Sequence, residues 1–425
     1  MDTLRAVPFF AEGTRRHSAR KVSSPAIAAP EDRELSTQAG FGKILDELAK
    51  SEAEIADRIV TTSPDVTVST NLGPWVNRRG LFARDEISDT FRDERVPSAQ
   101  KWRFAPGGQH IELGIAEMNL FLLLGAAGLS HSLFGERLLP VGTVYDPFIA
   151  RGLDALNYAC YQDARFLIAG TPSGVSLAPE GGAHQSIGTP LIGMSQDGLA
   201  SFEPAYLDEL AIIMQWAFDY MQRDGDGPAV EHTWLRDETG GSVYLRLSTR
   251  PVQQPGTRRG DAFRQGTIDG AYWWREPGPN CDVVLAYQGC VAPEVIEAAG
   301  RIGEFRRDIG VLAVTSADRL NAGWTAAQRA RRRGKTQARS HIERLLAPLP
   351  PHCTLITVID GHPATLAWLG SVCGHKTVPL GVEHFGQTGQ VSDLYRHFGI
   401  GVEAIVESAG GLTMGRRIAD APHLY

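Results

Sequence analysis

The first sustained pattern in the chain begins at Ser36. Apolar residues at Phe41, Ile44, Leu45 and Leu48 recur at helical spacing and predict a helix over Ser36–Ala49. A short strand over Arg58–Thr62 follows, ending in a Ser-Pro-Asp turn at Ser63–Asp65, and the charged stretch Val76–Gln100 reads as irregular surface. From Ile111 the chain turns apolar and glycine-rich. Ile115–Leu129 predicts a buried helix carrying Ala116, Leu120, Leu123, Leu124 and Ala127. Next come a strand at Pro140–Thr143, a helix over Phe148–Tyr161 opened by Pro147, a strand at Arg165–Gly170, an amphipathic helix over Pro204–Tyr220 and a strand at Ser242–Leu247. A stretch rich in Pro, Gly and charge then gives way to a second alternation. Its strands are Val283–Tyr287, Ile309–Thr315 and Leu355–Asp360, and its helices Pro293–Phe305 and Ala364–Val372. Strands alternating with helices imply parallel sheets covered by helices. The expected fold class is therefore α/β, with two consecutive three-layer domains built on mostly parallel sheets. Their boundaries are expected at 36–250 and 270–425, with a linker at 251–269 and a flexible leader at 1–35.

Composition narrows the function. A formal charge of −7 opposes nucleic-acid binding, which needs a basic surface. Short basic runs such as Arg329–Lys335 lack interleaved aromatics and read as a solvated face. Every apolar stretch is broken before the roughly eighteen residues that a membrane span requires. The five cysteines, Cys160, Cys281, Cys290, Cys353 and Cys373, show no CxxC pair and suit reduced thiols in a cytoplasm. Arg15, Arg16, Arg20 and Lys21 give the leader a transit-peptide flavour, but Asp2, Glu12, Glu31 and Asp32 oppose that reading.

Three clusters in the first domain carry chemistry. In Gly114-Ile115-Ala116-Glu117-Met118-Asn119, an acid opens an otherwise apolar helix. Glu117 is either a first-turn carboxylate answering the helix dipole or a desolvated acid suited to exchanging a proton with a ring nitrogen. In Gly142-Thr143-Val144-Tyr145-Asp146-Pro147-Phe148, two aromatics flank a strand-to-helix junction. They are either core residues or a platform for a planar heterocycle, at the strand ends where open α/β sheets bind ligands. In Glu180-Gly181-Gly182-Ala183-His184-Gln185-Ser186, a glycine-rich loop presents His184, a candidate proton shuttle or carboxylate binder.

The order of these clusters resembles the pyrimidine-binding domain of the transketolase superfamily. Ser36–Thr62, the Glu117 helix, the His184 loop and Phe202-Glu203-Pro204-Ala205-Tyr206 resemble the homodimeric type of pyruvate dehydrogenase E1. So do Gly381–Gly386 and Leu394–Ile400 in the second domain. The resemblance, which runs from about Ser36 to Ala409, implies thiamine diphosphate as cofactor. Glu117 matches the glutamate that bonds the pyrimidine nitrogen and promotes loss of the thiazolium proton. Phe148 matches the stacking ring, with Tyr145 beside it. His184 matches a histidine near the reacting carbon, and Asp65 an acid on the pyrimidine side. Pro172 and Arg151 stand where sugar-transferring transketolases carry His and Tyr, which favours a short 2-oxo acid such as pyruvate over a ketose. His384, in Val-Glu-His-Phe-Gly, reads as structural.

The family holds the diphosphate through Mg²⁺ with a Gly-Asp-Gly motif and a later Asn. The only Gly-Asp-Gly here, Gly225-Asp226-Gly227, lies in a polar stretch with no suitably placed Asn and reads as a turn. The resemblance therefore implies that Mg²⁺ ligands belong to a partner: an alpha-like E1 chain with the diphosphate domain, in an α2β2 or homodimeric assembly serving a lipoyl-bearing E2. A transketolase-type ketol transferase subunit and a truncated regulatory or structural subunit are the alternatives.

Overall fold

The computed structural model describes residues 19–88, 94–97, 101–225, 235–256, 258–306 and 308–419, with side chains to residue 411. The Gly-Asp-Gly stretch lies partly outside them, as does the leader up to residue 18.

Eight strands form the first sheet. In spatial order they are Phe104–Ala105, Leu81–Phe82, His110–Glu112, Ile59–Ser63, Leu139–Val144, Leu167–Gly170, Ser242–Arg246 and Leu199–Phe202. Every pairing in it is parallel. Alternation along the strands makes the sheet the middle of three layers. Leu167, Ala169, Val243 and Leu245 point to one face, where they meet Phe41, Leu45, Leu210 and Phe218. Ile168 and Tyr244 point to the other, against Leu120, Phe121, Leu124 and Leu156. The helices on the first face are Thr37–Lys50, whose Ser36 side chain accepts the Ala39 N–H at 3.1 Å, and Leu207–Tyr220. Those on the second are Glu117–Gly128 and Leu153–Tyr161.

Five strands form the second sheet, in the order Ala271–Arg275, Gly310–Val314, Val283–Gln288, Thr354–Ile359 and Lys376–Leu380. It is parallel apart from its first strand, which runs antiparallel at the edge. Val283, Leu285 and Val311 face one core, with Val295, Ile302 and Tyr395; Val284, Ala286 and Leu312 face another, with Leu320, Ile342 and Leu346. No described helix is long and apolar enough to cross a membrane.

Several expectations need correction. Residues 19–35 are not a flexible leader: Val22 is buried and exchanges two backbone bonds with the Gln222 amide, and Glu34–Leu35 pairs with Val252–Gln253. The expected linker holds that partner strand and a helix at Asp261–Asp269, because its polar composition concealed Gly266, Thr267 and Ile268 on a buried face. The helix expected over Phe148–Tyr161 begins as a 3₁₀ turn at Asp146–Gly152. Gly152 packs against the Phe121 ring, where a Cβ would come within 2.0 Å of Cδ2.

One buried cation joins the two units. Arg246, at the end of its strand, is 2% exposed. It donates to Asp146 Oδ2 at 3.1 Å, to Glu203 Oε1 at 2.5 Å and to the Asp360 carbonyl of the second unit at 2.8 Å. Asp360 in turn accepts the N–H groups of Val175 and Ser176 at 2.8 and 3.0 Å. Removing Arg246 strands two buried carboxylates. Arg246→Met should therefore cost about 3–5 kcal/mol of unfolding free energy in urea titrations. The double variant Arg246→Met with Glu203→Gln should recover part of that loss.

Candidate active site

The parallel strands of the first sheet deliver all the sequence-predicted residues to one edge, beyond their carboxyl ends. Ile59–Ser63 leads to Asp65, His110–Glu112 to Glu117, Leu139–Val144 to Tyr145 and Phe148, and Leu167–Gly170 to the loop carrying His184. Crevices at this edge are where open α/β sheets bind ligands.

Glu117 is the first residue of its helix and is 8% exposed. Its Oε1 accepts an N–H from Arg151 Nη1 at 2.6 Å. The same guanidinium lies over the Phe148 ring, 3.9 Å from its centroid. His184 meets Phe148 edge-on, with centroids 5.5 Å apart at 67°, and Tyr145 lies nearly parallel to it at 6.0 Å. Glu117, Phe148, Tyr145 and His184 thus form one constellation, with His184 and Arg151 exposed on its rim.

Asp65 stands apart from this group. It is exposed, with φ at +65°, and its N–H donates to Glu112 Oε1 at 2.7 Å. Glu112 also accepts from the Thr67 hydroxyl, and Thr67 bonds the buried His110 at 2.9 Å. A further hydroxyl pair, Thr70 with Thr143 at 2.8 Å, ties this turn to the strand that leads to Tyr145. His384, which the sequence reads as structural, lies in the second unit. It is exposed, on a segment that packs beside the His184 loop: Gly182 N donates to the Gly386 carbonyl at 3.2 Å, and Gln185 Nε2 to that of Gln387 at 3.1 Å.

The residues that hold the constellation were not legible in the sequence. Asp146 lies between the two aromatics and is fully buried. Its carboxylate accepts from the hydroxyls of Ser186, Thr189 and Tyr244 and from Arg246. Ser186 is two residues past His184, so Asp146 fixes the aromatic turn and the histidine loop to each other. The available signal was an acid set within an apolar strand-to-helix junction, which demands buried partners. Burial pushes the Glu203 carboxyl up, while Arg246 and a bond from Gln288 pull it back.

A model of the pyruvate dehydrogenase E1 component middle domain matches residues 20–235, just over half of the chain. The chain belongs to this family. The pyruvate dehydrogenase E1 component of Pseudomonas aeruginosa is 26% identical over 285 residues, 66% of this chain and 30% of that protein. The one from Mycolicibacterium smegmatis is 24% identical over 410 residues, 95% of this chain and 41% of that protein. The chain therefore spans less than half the length of these E1 relatives. Among solved structures, transketolase from Leishmania mexicana superposes with a TM-score of 0.65 at 17% identity, covering 94% of this chain and 48% of its own. A structure titled split gene transketolase, inactive beta4 tetramer, gives a TM-score of 0.56 at 18% identity over 89% of this chain and 99% of its own. These likenesses show the two-unit α/β fold that the E1 family assignment leads one to expect.

Glu112 gives this edge a pH dependence. Burial raises its carboxyl, but bonds from His110, Thr67 and the Asp65 N–H outweigh burial and hold it below its ordinary value of 4.5. A folded-state value below the unfolded one contributes stability above about pH 4.5 that is lost as pH falls through the folded value. The wild-type melting temperature should therefore fall more steeply below pH 4.5 than that of Glu112→Gln, measured by circular dichroism across pH 3–7.

Proposed function

We propose that this chain is the pyrimidine-binding half of a thiamine-diphosphate-dependent 2-oxo acid dehydrogenase E1. In this reading it decarboxylates pyruvate or a similar short 2-oxo acid and passes the acyl group to a lipoyl-bearing E2. The observation that carries the reading is the pairing of a buried carboxylate with an aromatic face at the carboxyl ends of a parallel sheet. The planar Arg151 guanidinium bonds Glu117 and covers Phe148 at once, which supports a planar ligand in the same place. An aminopyrimidine is equally flat, with a ring nitrogen that can accept the Glu117 proton, so a buried carboxyl beside an aromatic face fits it.

When bound, thiamine diphosphate supplies a thiazolium that stabilises the carbanion left by decarboxylation. Glu117 would hold a proton at the pyrimidine nitrogen, and its burial keeps water from competing for that bond. Phe148 would set the plane of the ring, with Tyr145 behind it. His184, on the rim, is placed to orient the 2-oxo acid carboxylate or carry a proton to the reacting carbon. Asp65, on the same sheet edge, would lie on the pyrimidine side. Pro172 and Arg151, in place of a sugar-binding pattern, support a 2-oxo acid over a ketose.

The diphosphate and its Mg²⁺ are assigned to a partner chain carrying the Gly-Asp-Gly and Asn set. Beside the constellation, the Glu117–Gly128 and Leu153–Tyr161 helices pack together and turn Met118, Leu122, Leu153, Tyr158 and Tyr161 outward. An apolar face of that kind marks an interaction surface, and its position would bring the partner against the cofactor site. The split-gene transketolase, described as an inactive tetramer of beta chains, matches this chain in extent and supports shared labour between chains.

Isothermal calorimetry with Mg²⁺ tests the division. The chain alone should bind thiamine diphosphate weakly or not at all. Adding a chain with the diphosphate motif should bring both tight binding and pyruvate oxidation with an artificial electron acceptor. Sub-micromolar binding by the chain alone would contradict the shared site. Faster turnover of ketose phosphates than of pyruvate would contradict the substrate class.

A further inference from the structure

Arg151 occupies the place where the two recognition elements meet. Its Nη1 donates to Glu117 at 2.6 Å while its guanidinium plane covers Phe148 at 3.9 Å. A ring that both bonds Glu117 and stacks on Phe148 must take the same space. We propose that Arg151 is an internal stand-in for the aminopyrimidine, which any incoming ring displaces, and that it thereby sets the affinity of the site. The inference rests on the thiamine-binding reading of that site.

Three features support this role. The guanidinium is flat, cationic and rich in N–H donors, so it satisfies a carboxylate and an aromatic face together. It keeps Glu117, which is nearly buried, from standing as an unpaired charge. Its own side chain is 54% exposed and sits at the end of a 3₁₀ turn, so it can swing to solvent without opening the core. A half-exposed ion pair is weak enough for a ligand to displace. Arg151 is thus a positioning residue: it shields Glu117 until a ring arrives and discriminates against groups that cannot replace both of its contacts.

The test uses the full chain and thiamine, which carries the aminopyrimidine but no phosphate, followed by ligand-observed NMR. Arg151→Met keeps much of the stem's volume and removes the guanidinium. It should bind thiamine about tenfold tighter than wild type, the equivalent of losing one competing contact of ~1.4 kcal/mol. The gain should vanish in Arg151→Met with Glu117→Gln. In wild type, the Arg151 Nε–H resonance should shift as thiamine is added, a readout that does not depend on how well the variant folds. Binding to Arg151→Met equal to or weaker than wild type, with the Nε–H resonance unmoved, would overturn the stand-in while leaving the cofactor reading intact. A gain that survives Glu117→Gln would likewise overturn the stand-in, because Arg151 would then not be competing for the Glu117 carboxylate.

Discussion

A guanidinium buried between carboxylates organises this molecule. Arg246 ends a central strand, and its charge is balanced by Asp146 on one side and Glu203 on the other, while a third bond reaches the Asp360 carbonyl. Burying that charge is costly unless every donor is met. The requirement fixes three segments at once: the aromatic turn through Asp146, the histidine loop through Ser186, and the second unit through Asp360. Gly174 shows how tight the junction is. Its φ is +66°, and a Cβ there would lie 2.5 Å from the Asp360 carboxylate. The aromatic turn and the histidine loop, which carry Phe148 and His184, are set by the polar core beneath them.

Much of this was readable from residue order. Alternating apolar runs identified both sheets, since buried parallel strands are nearly continuous in hydrophobic residues. Glu117, Tyr145, Phe148 and His184 stood out because each breaks its local pattern (an acid in an apolar helix, aromatics at a junction, a histidine among glycines), and the structure brings the four side chains together. Asp146 and Arg246 were not, because an Asp before Pro and an Arg at a strand end look like surface residues until their partners, distant in sequence, are brought together. The part played by Arg151 was hidden for the same reason. Sequence shows it as a departure from a pattern, whereas its two contacts with Glu117 and Phe148 appear only in three dimensions. The segments 19–35 and 251–269 misled because polar composition masked a few buried side chains, Val22 and Ile268 among them.

The arrangement also explains an asymmetry at the site. The Glu117 side is shaped by its own fold: the helix start, the aromatic turn and the loop are all held by bonds within the chain. Beside it, the same helix and Leu153–Tyr161 present an apolar surface that is tightly packed beneath, where a Cβ on Gly125 would lie 3.1 Å from that of Ala159.

Everything in the functional account turns on Glu117 acting on a pyrimidine nitrogen rather than merely answering a helix dipole. The direct measurement is hydrogen–deuterium exchange at C2 of thiamine diphosphate, by quenched-flow NMR, on the chain assembled with a diphosphate-binding partner. Glu117→Gln keeps the shape and a hydrogen bond but removes the acid, and loss of a positioned acid–base group slows its step by ~10²–10⁴-fold. The account predicts that the variant assembles normally yet exchanges C2 hydrogen at a rate near that of the free cofactor. Exchange at the wild-type rate, with only the ~0.3–1 kcal/mol stability loss of a helix-terminus carboxylate, would contradict it.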